Sequence, residues 1–109
     1  MNKKMSDKEE LIILEQKIKQ AEAYGQPIDK YILREIEILQ QTIDTFVEQM
    51  EKEGRLNDAQ VGAVEIRQYS AMKQLSQKIN LPVDKYDKLI KEVQCRIVGQ
   101  DNWETFFGK

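Results

Sequence analysis

The longest regular pattern of apolar residues lies between Asp29 and Glu53. In this segment the apolar positions alternate in steps of four and three: Ile32, Ile36, Leu39, Ile43, Phe46 and Met50. This spacing places them on one face of an α-helix, with the heptad-like period of helices that pack against a partner. At 1.5 Å per residue the helix would be roughly 37 Å long. We interpret this seam as a surface for hairpin or oligomer contacts.

Residues that start and stop helices divide the first half of the chain. Ser6 or Asp7 caps a first helix, and Gly25 ends it. The long helix starts at Asp29, which we interpret as its N-cap, and it stops at Gly54. Because only four residues link it to the next apolar segment, the third helix is expected to return antiparallel and form a helical hairpin.

The second half of the chain predicts two more helices. Asn57 or Asp58 caps the third helix, and a turn containing Pro82 separates it from a fourth helix that starts at Asp84. Gly62 lowers the intrinsic stability of the third helix, so it indicates a close approach to another backbone.

Length and composition fit one all-α domain. The 109 residues include only five Gly and two Pro, so long segments lack residues that break helices. We predict a four-helix antiparallel bundle built on the long central hairpin. Residues 1–99 form a single helical domain, and residues 100–109 form a short aromatic C-terminal tail.

The sequence lacks the residue types on which most catalytic and metal sites depend. It contains no histidine, the commonest general base near neutral pH and the commonest metal ligand. Cys95, the one cysteine, lies inside a helix and agrees with a reducing compartment. No apolar run approaches the ~20 residues of a membrane span. We predict a cytoplasmic protein that is not an enzyme, with no catalytic residues, no cofactor, no metal and no membrane contact.

Charged residues are distributed unevenly along the predicted helices. The segment from Asp29 to Glu53, with Glu35 on its polar surface, has seven acidic and three basic residues. The segment from Arg55 to Asn80, in which Glu65 is one of two acidic residues, has four basic ones. This asymmetry can offer a basic surface to DNA phosphates, although a solvated helix surface explains the same charges. The candidates for DNA contact are Arg55, Arg67, Lys73, Lys78, Lys85, Lys88 and Lys91.

The tail carries Trp103, Phe106 and Phe107, which share one face of a helical turn. Large aromatic side chains at a chain end either pack on their own bundle or anchor a partner. Both alternatives are open, and the three residues are candidates for partner binding.

Several apolar stripes are wider than one neighbouring helix can cover. Four consecutive apolar residues, Leu11 to Leu14, occupy the first helix. A small bundle has few places to bury such wide stripes, so we expect a homo-oligomer.

Five short motifs resemble the small terminase subunits of tailed bacteriophages, over about residues 24–90. The motifs are Tyr24-Gly25, Ile28-Asp29, Glu53-Gly54, Lys73-Gln74-Leu75 and Ile79-Asn80-Leu81-Pro82. In that family a long helical hairpin is commonly followed by a Leu-Gly-Leu-Thr-Pro-like turn. Here Asn80 replaces the glycine, and the threonine is missing.

The resemblance implies a non-enzymatic DNA-packaging factor of a phage. Such a protein forms oligomers, often rings, contacts double-stranded viral DNA, and regulates or recruits the large terminase subunit, which supplies the ATPase and nuclease activities. A C-terminal segment that engages the large subunit would suit the aromatic tail. The alternative is a helical protein-binding adaptor or regulator that does not bind DNA.

Overall fold

The computed structural model describes residues 5–108, and in this range it contains five α-helices. They are α1 (Asp7–Ala23), α2 (Asp29–Lys52), α3 (Ala59–Lys78), α4 (Asp84–Val98) and α5 (Gln100–Phe106). The predicted all-α class is confirmed for these residues. The first four residues of the predicted domain and the last residue of the predicted tail lie outside the described range. No helix in the described range combines the length and the apolar character that crossing a bilayer requires.

Side-chain caps start two of the helices. The Ser6 hydroxyl accepts a hydrogen bond from the backbone N–H of Glu9 at 3.1 Å, and the Glu9 carboxylate accepts one from the backbone N–H of Ser6 at 3.3 Å. This reciprocal pair is a capping box. Asp58 caps α3 by accepting a hydrogen bond from the backbone N–H of Gln60 at 2.8 Å. Both starts agree with the sequence prediction.

The prediction that Asp29 caps α2 was wrong. The N-cap is Ile28, which has no side chain able to accept a hydrogen bond, and Asp29 is the first helical residue. In the first turn the carboxylate of Asp29 still lies near the positive end of the helix dipole. Its contribution is therefore electrostatic.

Residues with positive φ follow the first three helices. Gly25 and Gly54 have φ values of +67° and +69°, and Asn80 has a φ of +60°. Asn is one of the few non-glycine residues that adopt this left-handed conformation readily. The turn after α3 therefore has a glycine-like backbone conformation at Asn80.

Helices pack against their neighbours in chain order and form a flat layer. α1 packs on α2, α2 on α3, α3 on α4, and α4 on α5. The Cα atoms extend over 49 × 39 × 16 Å, so the layer is thin in one direction. A closed four-helix bundle would also bring the first helix against the fourth. The described residues contain no such contact, and the predicted four-helix bundle is not confirmed.

The seam of α2 is used inside the chain. Ile32 and Ile43 are almost completely buried, and Met50 is buried. The other three seam residues, Ile36, Leu39 and Phe46, pack partly buried against the main apolar cluster of Ile43, Tyr69, Met72, Tyr86 and Val93. Ile38, which lies off the seam, is also fully buried. Since α1 and α3 both pack on α2, this helix buries more than one stripe.

Gly62 marks a close approach, but its neighbour is a side chain. A Cβ atom at this position would collide with the side chain of Ile97 and lie 3.3 Å from Cγ1 of Val93. Both neighbours belong to α4. The predicted close approach is present, but it is made by side chains and not by another backbone. Glycine at this position lets α4 pack closely on α3.

A buried ion pair connects α3, α4 and the loop before α3. Glu65 is only 1 % exposed, and the guanidinium of Arg96 donates a hydrogen bond to its carboxylate. The Nε–H of Arg96 also donates to the backbone carbonyl of Leu56 at 2.8 Å. The sequence pattern counted Glu65 among the surface charges, and the structure corrects this. Farther along the same antiparallel pair of helices, Lys73 Nζ lies 2.6 Å from Asp87 Oδ1.

We predict that Arg96→Met destabilises the protein by about 3 kcal/mol, because it leaves the Glu65 carboxylate buried without a partner. Urea unfolding followed by circular dichroism measures the change. Arg67→Met, at an exposed position of α3, should change stability by less than about 0.5 kcal/mol. The double variant Glu65→Met/Arg96→Met should recover part of the loss. Equal stabilities of Arg96→Met and Arg67→Met would contradict the role assigned to the Glu65–Arg96 pair.

Candidate functional site

Two of the predicted DNA-contact residues pair with carboxylates of the chain itself. Arg55 Nη2 lies 3.2 Å from Asp58 Oδ2, and Lys73 Nζ lies 2.6 Å from Asp87 Oδ1. Hydrogen bonds from Gln60 and Arg55 also lower the pKa of Asp58, so this carboxylate stays charged. The positive charge of Arg55 and Lys73 is therefore partly neutralised within the chain.

Two more of these lysines lie over aromatic rings. Lys85 Nζ is 5.0 Å from the centroid of the Tyr86 ring, and Lys91 Nζ is 4.3 Å from that of Trp103. Both distances are within the range of cation–π attraction. Lys78 lines a cleft between α1 and α3, together with the acidic side chains of Glu15 and Glu35. Of the seven candidates, only Arg67 and Lys88 are exposed and have neither an ion pair nor an aromatic contact among the described residues and line no part of this cleft.

The aromatic tail folds into α5 and docks on α4. Gly99 has a φ of +86°, which lets the chain bend between the two helices. The indole Nε1–H of Trp103 donates a hydrogen bond to Oε1 of Gln94 at 2.9 Å. The amide of Asn102 donates to the backbone carbonyl of Val98 at 2.8 Å. Trp103 is half-buried and anchors the short helix.

Phe106 and Phe107 extend beyond this anchor. They are 67 % and 44 % exposed, respectively. The two alternatives left open by the sequence therefore apply to different residues: Trp103 packs on its own chain, whereas Phe106 and Phe107 offer adjacent aromatic surface to solvent. Adjacent exposed aromatic side chains are typical of interaction sites.

The second feature is a cleft between α1 and α3, which we call the Glu35 cleft. Both helices pack on α2 without contacting each other, so α2 forms the floor. The cleft has two connected parts of about 320 Å³ and about 280 Å³ that share Glu15, Glu35, Leu75 and Lys78. Its apolar lining consists of Leu11, Ile18, Leu39, Ala71 and Leu75.

One wall of the cleft is fixed by an ion pair between α1 and α2. The guanidinium of Arg34 contacts Glu10 through two hydrogen bonds, at 2.6 Å from Nε and 2.9 Å from Nη2. These bonds lower the pKa of Glu10, which is therefore ionised at neutral pH. Buried Leu14, Ile18 and Ala21 supply the apolar contact of α1. Because α1 packs on α2 alone, these contacts set the width of the cleft.

Glu35 is a nearly buried carboxylate at the floor of the cleft. Its residue is 5 % exposed, although the sequence pattern placed it on the polar surface of α2. Burial raises the pKa of Glu35, and the negative charge of Glu15 raises it further, while the positive charge of Lys78 partly offsets both effects. A signal was present in the sequence, because Glu35 lies three residues from both Ile32 and Ile38, on the stripe that they bury.

The carboxylate of Glu35 opens into the cleft. Among residues 5–108 it has no side-chain hydrogen bond or ion pair, yet no side-chain polar atom in this range is both fully buried and unpartnered. Its oxygen atoms must therefore reach the space that they line. The described residues also contain no group of three or more potential metal ligands. The cleft is a partly apolar groove with one unpaired carboxylate at its floor.

Comparison of the chain with protein-family models, curated proteins and solved structures finds no match. The resemblance to small terminase subunits therefore rests on the short motifs alone. Functional conclusions rest on the residues of the chain and on their geometry.

We predict that Glu35→Gln stabilises the protein at pH 7 by on the order of 1 kcal/mol, the usual size of a single-residue effect. Because the pKa of Glu35 is raised above its ordinary value of 4.5, the folded state binds this proton more tightly than the unfolded state. The resulting stabilisation of the wild type is present below pH 4.5 and is lost as the pH rises through the raised pKa. The greater stability of Glu35→Gln should therefore appear as the pH rises from 4.5 through the raised pKa of Glu35.

Urea unfolding at a series of pH values from 4 to 8 measures this difference. The lowered pKa values of Glu10 and Asp58 act in the opposite direction, but they are common to both proteins and cancel. Glu51→Gln, which removes an exposed carboxylate of the same helix, is the matched control and should give a small, flat difference. A variant at Glu35 that behaves like this control would disprove the assignment.

Proposed function

We propose that this chain is a non-enzymatic helical adaptor that binds a protein partner through α5. The observation that carries the proposal is the arrangement of three aromatic residues: Trp103 fixes α5 on α4, and Phe106 and Phe107 remain exposed. A frayed tail could not hold two phenylalanine rings in a defined position, whereas a docked helix can. Such preorganisation lowers the entropic cost of binding.

The charges of α5 indicate the kind of partner surface. Asp101 and Glu104 are both exposed on this helix, which has no basic residue. Aromatic side chains are the usual anchors of protein interfaces, and charged residues at the rim improve specificity and the rate of association. We therefore propose a partner with an apolar pocket for Phe106 and Phe107 and basic residues around it.

A more specific proposal is a packaging factor similar to the small terminase subunits, acting in the cytoplasm of the host. It is supported by the motif resemblance, by the contacts between α2 and α3, and by the exposed side chains of Arg67 and Lys88. In this proposal α5 engages the large terminase subunit and copies of the chain form a homo-oligomer, such as a ring. A second copy would cover the open helical layer and complete the bundle that the apolar stripes predict.

We predict that a photo-crosslinking amino acid at position 106 forms a defined adduct with one partner in the native host, because Phe106 lies in the interface. The same amino acid at exposed Lys52, far along the chain from α5, is the control. Mass spectrometry identifies the adduct. With the purified partner, Phe106→Ser/Phe107→Ser should weaken binding at least about tenfold, which corresponds to 1.4 kcal/mol, without changing the melting temperature. Unchanged affinity would refute the adaptor proposal.

Binding to double-stranded DNA separates the packaging factor from an adaptor that binds only protein. We predict that the protein binds DNA at low salt and that binding weakens as salt is added, because each phosphate contact releases counterions. The substitutions Arg67→Gln and Lys88→Gln should reduce this salt dependence. Fluorescence anisotropy measures affinity, and light scattering measures the oligomeric state. A strict monomer that binds no DNA at low salt would leave only the adaptor.

A further inference from the structure

We infer that the Glu35 cleft binds a primary alkylammonium group, with Glu35 as the carboxylate that receives it. The inference concerns a different part of the molecule from α5. Its success or failure is therefore independent of the adaptor and packaging proposals.

The first argument is the state of Glu35 itself. A carboxylate on a residue that is only 5 % exposed normally has a hydrogen-bond donor or a cation as its partner. Among the described residues Glu35 forms no side-chain hydrogen bond and no ion pair, and Lys78 acts on it only through its charge. The oxygens of Glu35 open into the cleft. A cationic ligand with N–H donors supplies what is missing. The raised pKa of Glu35 has the same physical origin, since burial without a full partner disfavours its charged form.

The second argument is the balance of charge around the cleft. The acidic side chains that line it are Glu15, Glu22 and Glu35, and the basic ones are Lys19 and Lys78. Three carboxylates and two ammonium groups give a net charge of −1, which favours one additional positive charge. Lys78 is exposed and forms no ion pair with Glu35 in the structure. It is a resident competitor for the site rather than a permanent partner.

The third argument is the apolar surface beside the carboxylate. Leu11, Leu39 and Leu75 line the same part of the cleft as Glu35. A short methylene chain that ends in an ammonium group buries its carbon atoms against such residues and keeps its charge at the polar end. The site therefore selects an alkylammonium over a small inorganic cation, which would gain nothing from the apolar walls.

Two sources share this chemistry: a lysine side chain of another protein, and a free diamine or polyamine. Suitable probes are Nα-acetyl-lysine methylamide, which keeps the side-chain ammonium group, and cadaverine for the free diamine. N-acetyl-norleucine methylamide has the same four-carbon chain as the lysine probe but no ammonium group. It is therefore the matched control for the charge.

The experiment is a titration of the full chain with each probe at pH 7, followed by NMR amide shifts. We expect the lysine probe or cadaverine to bind with a Kd in about the millimolar range, a strength that one partly open ion pair can supply. The shifts should map to the facing turns of α1, α2 and α3. The tighter of the two probes identifies the source. The norleucine probe should bind at least about tenfold more weakly than the lysine probe.

Three variants test the role of Glu35. Glu35→Gln should weaken binding of the ammonium probes about tenfold, and Glu35→Asp, which keeps the charge on a shorter side chain, should have a smaller effect. Glu51→Gln removes an equal charge from an exposed site and should leave the affinity unchanged. Lys78→Met removes the competing cation and should tighten binding severalfold. The opposite signs at positions 35 and 78 cannot arise from a general loss of structure.

The inference is overturned if neither ammonium probe binds in the millimolar range. It is also overturned if the norleucine probe binds as well as the lysine probe, or if Glu35→Gln and Glu51→Gln have equal affinities. Amide spectra and melting curves of each variant verify folding. If Glu35→Gln failed to fold, unchanged affinity in Lys78→Met would still refute the inference.

Discussion

The pairing of Glu65 with Arg96 is the interaction on which the arrangement of α3 and α4 depends. Glu65 lies on α3 and Arg96 on α4, and the same guanidinium also contacts the carbonyl of Leu56 in the loop before α3. One side chain thus fixes the distance between α3 and α4 and the path by which the chain enters α3. Because removing Arg96 would leave the buried Glu65 carboxylate without a partner, the pair tolerates little displacement. Gly62 permits the close packing that this geometry requires.

The helical layer differs from a closed bundle in how each helix finds its partners. α2 and α3 each have two neighbours, whereas α1 has only α2. The apolar stripe of α1 is wider than this single contact covers, and Ile12 remains 50 % exposed. The same incomplete coverage produces the cleft between α1 and α3. Burial of Glu35 without a partner is therefore a consequence of the topology.

Local features of the sequence predicted the all-α class and several helix ends. The way in which the helices pack was not predicted from the sequence. Ser6, Asp58, Gly25 and Gly54 mark helix ends through interactions within a few residues, which a sequence displays directly. The burial of a charged residue such as Glu65 depends on which helix faces it, and periodicity does not specify this. A closed four-helix bundle would add a contact between the first and fourth helices. Nothing in the apolar spacing distinguishes that contact from an open layer.

The two candidate sites are related to stability in different ways. None of the residues of α5 is buried, so the exposure of Phe106 and Phe107 removes no contact from the main apolar cluster. A partner that binds there would not be needed for the packing of the other helices. The Glu35 cleft lies between α1 and α3, and α1 is held by α2 alone. A cation that binds only the docked arrangement of α1 would, by linkage, also stabilise that docking. Binding of a cation in the cleft would then be coupled to the position of α1, whereas binding of a partner to α5 would leave the rest of the chain unchanged.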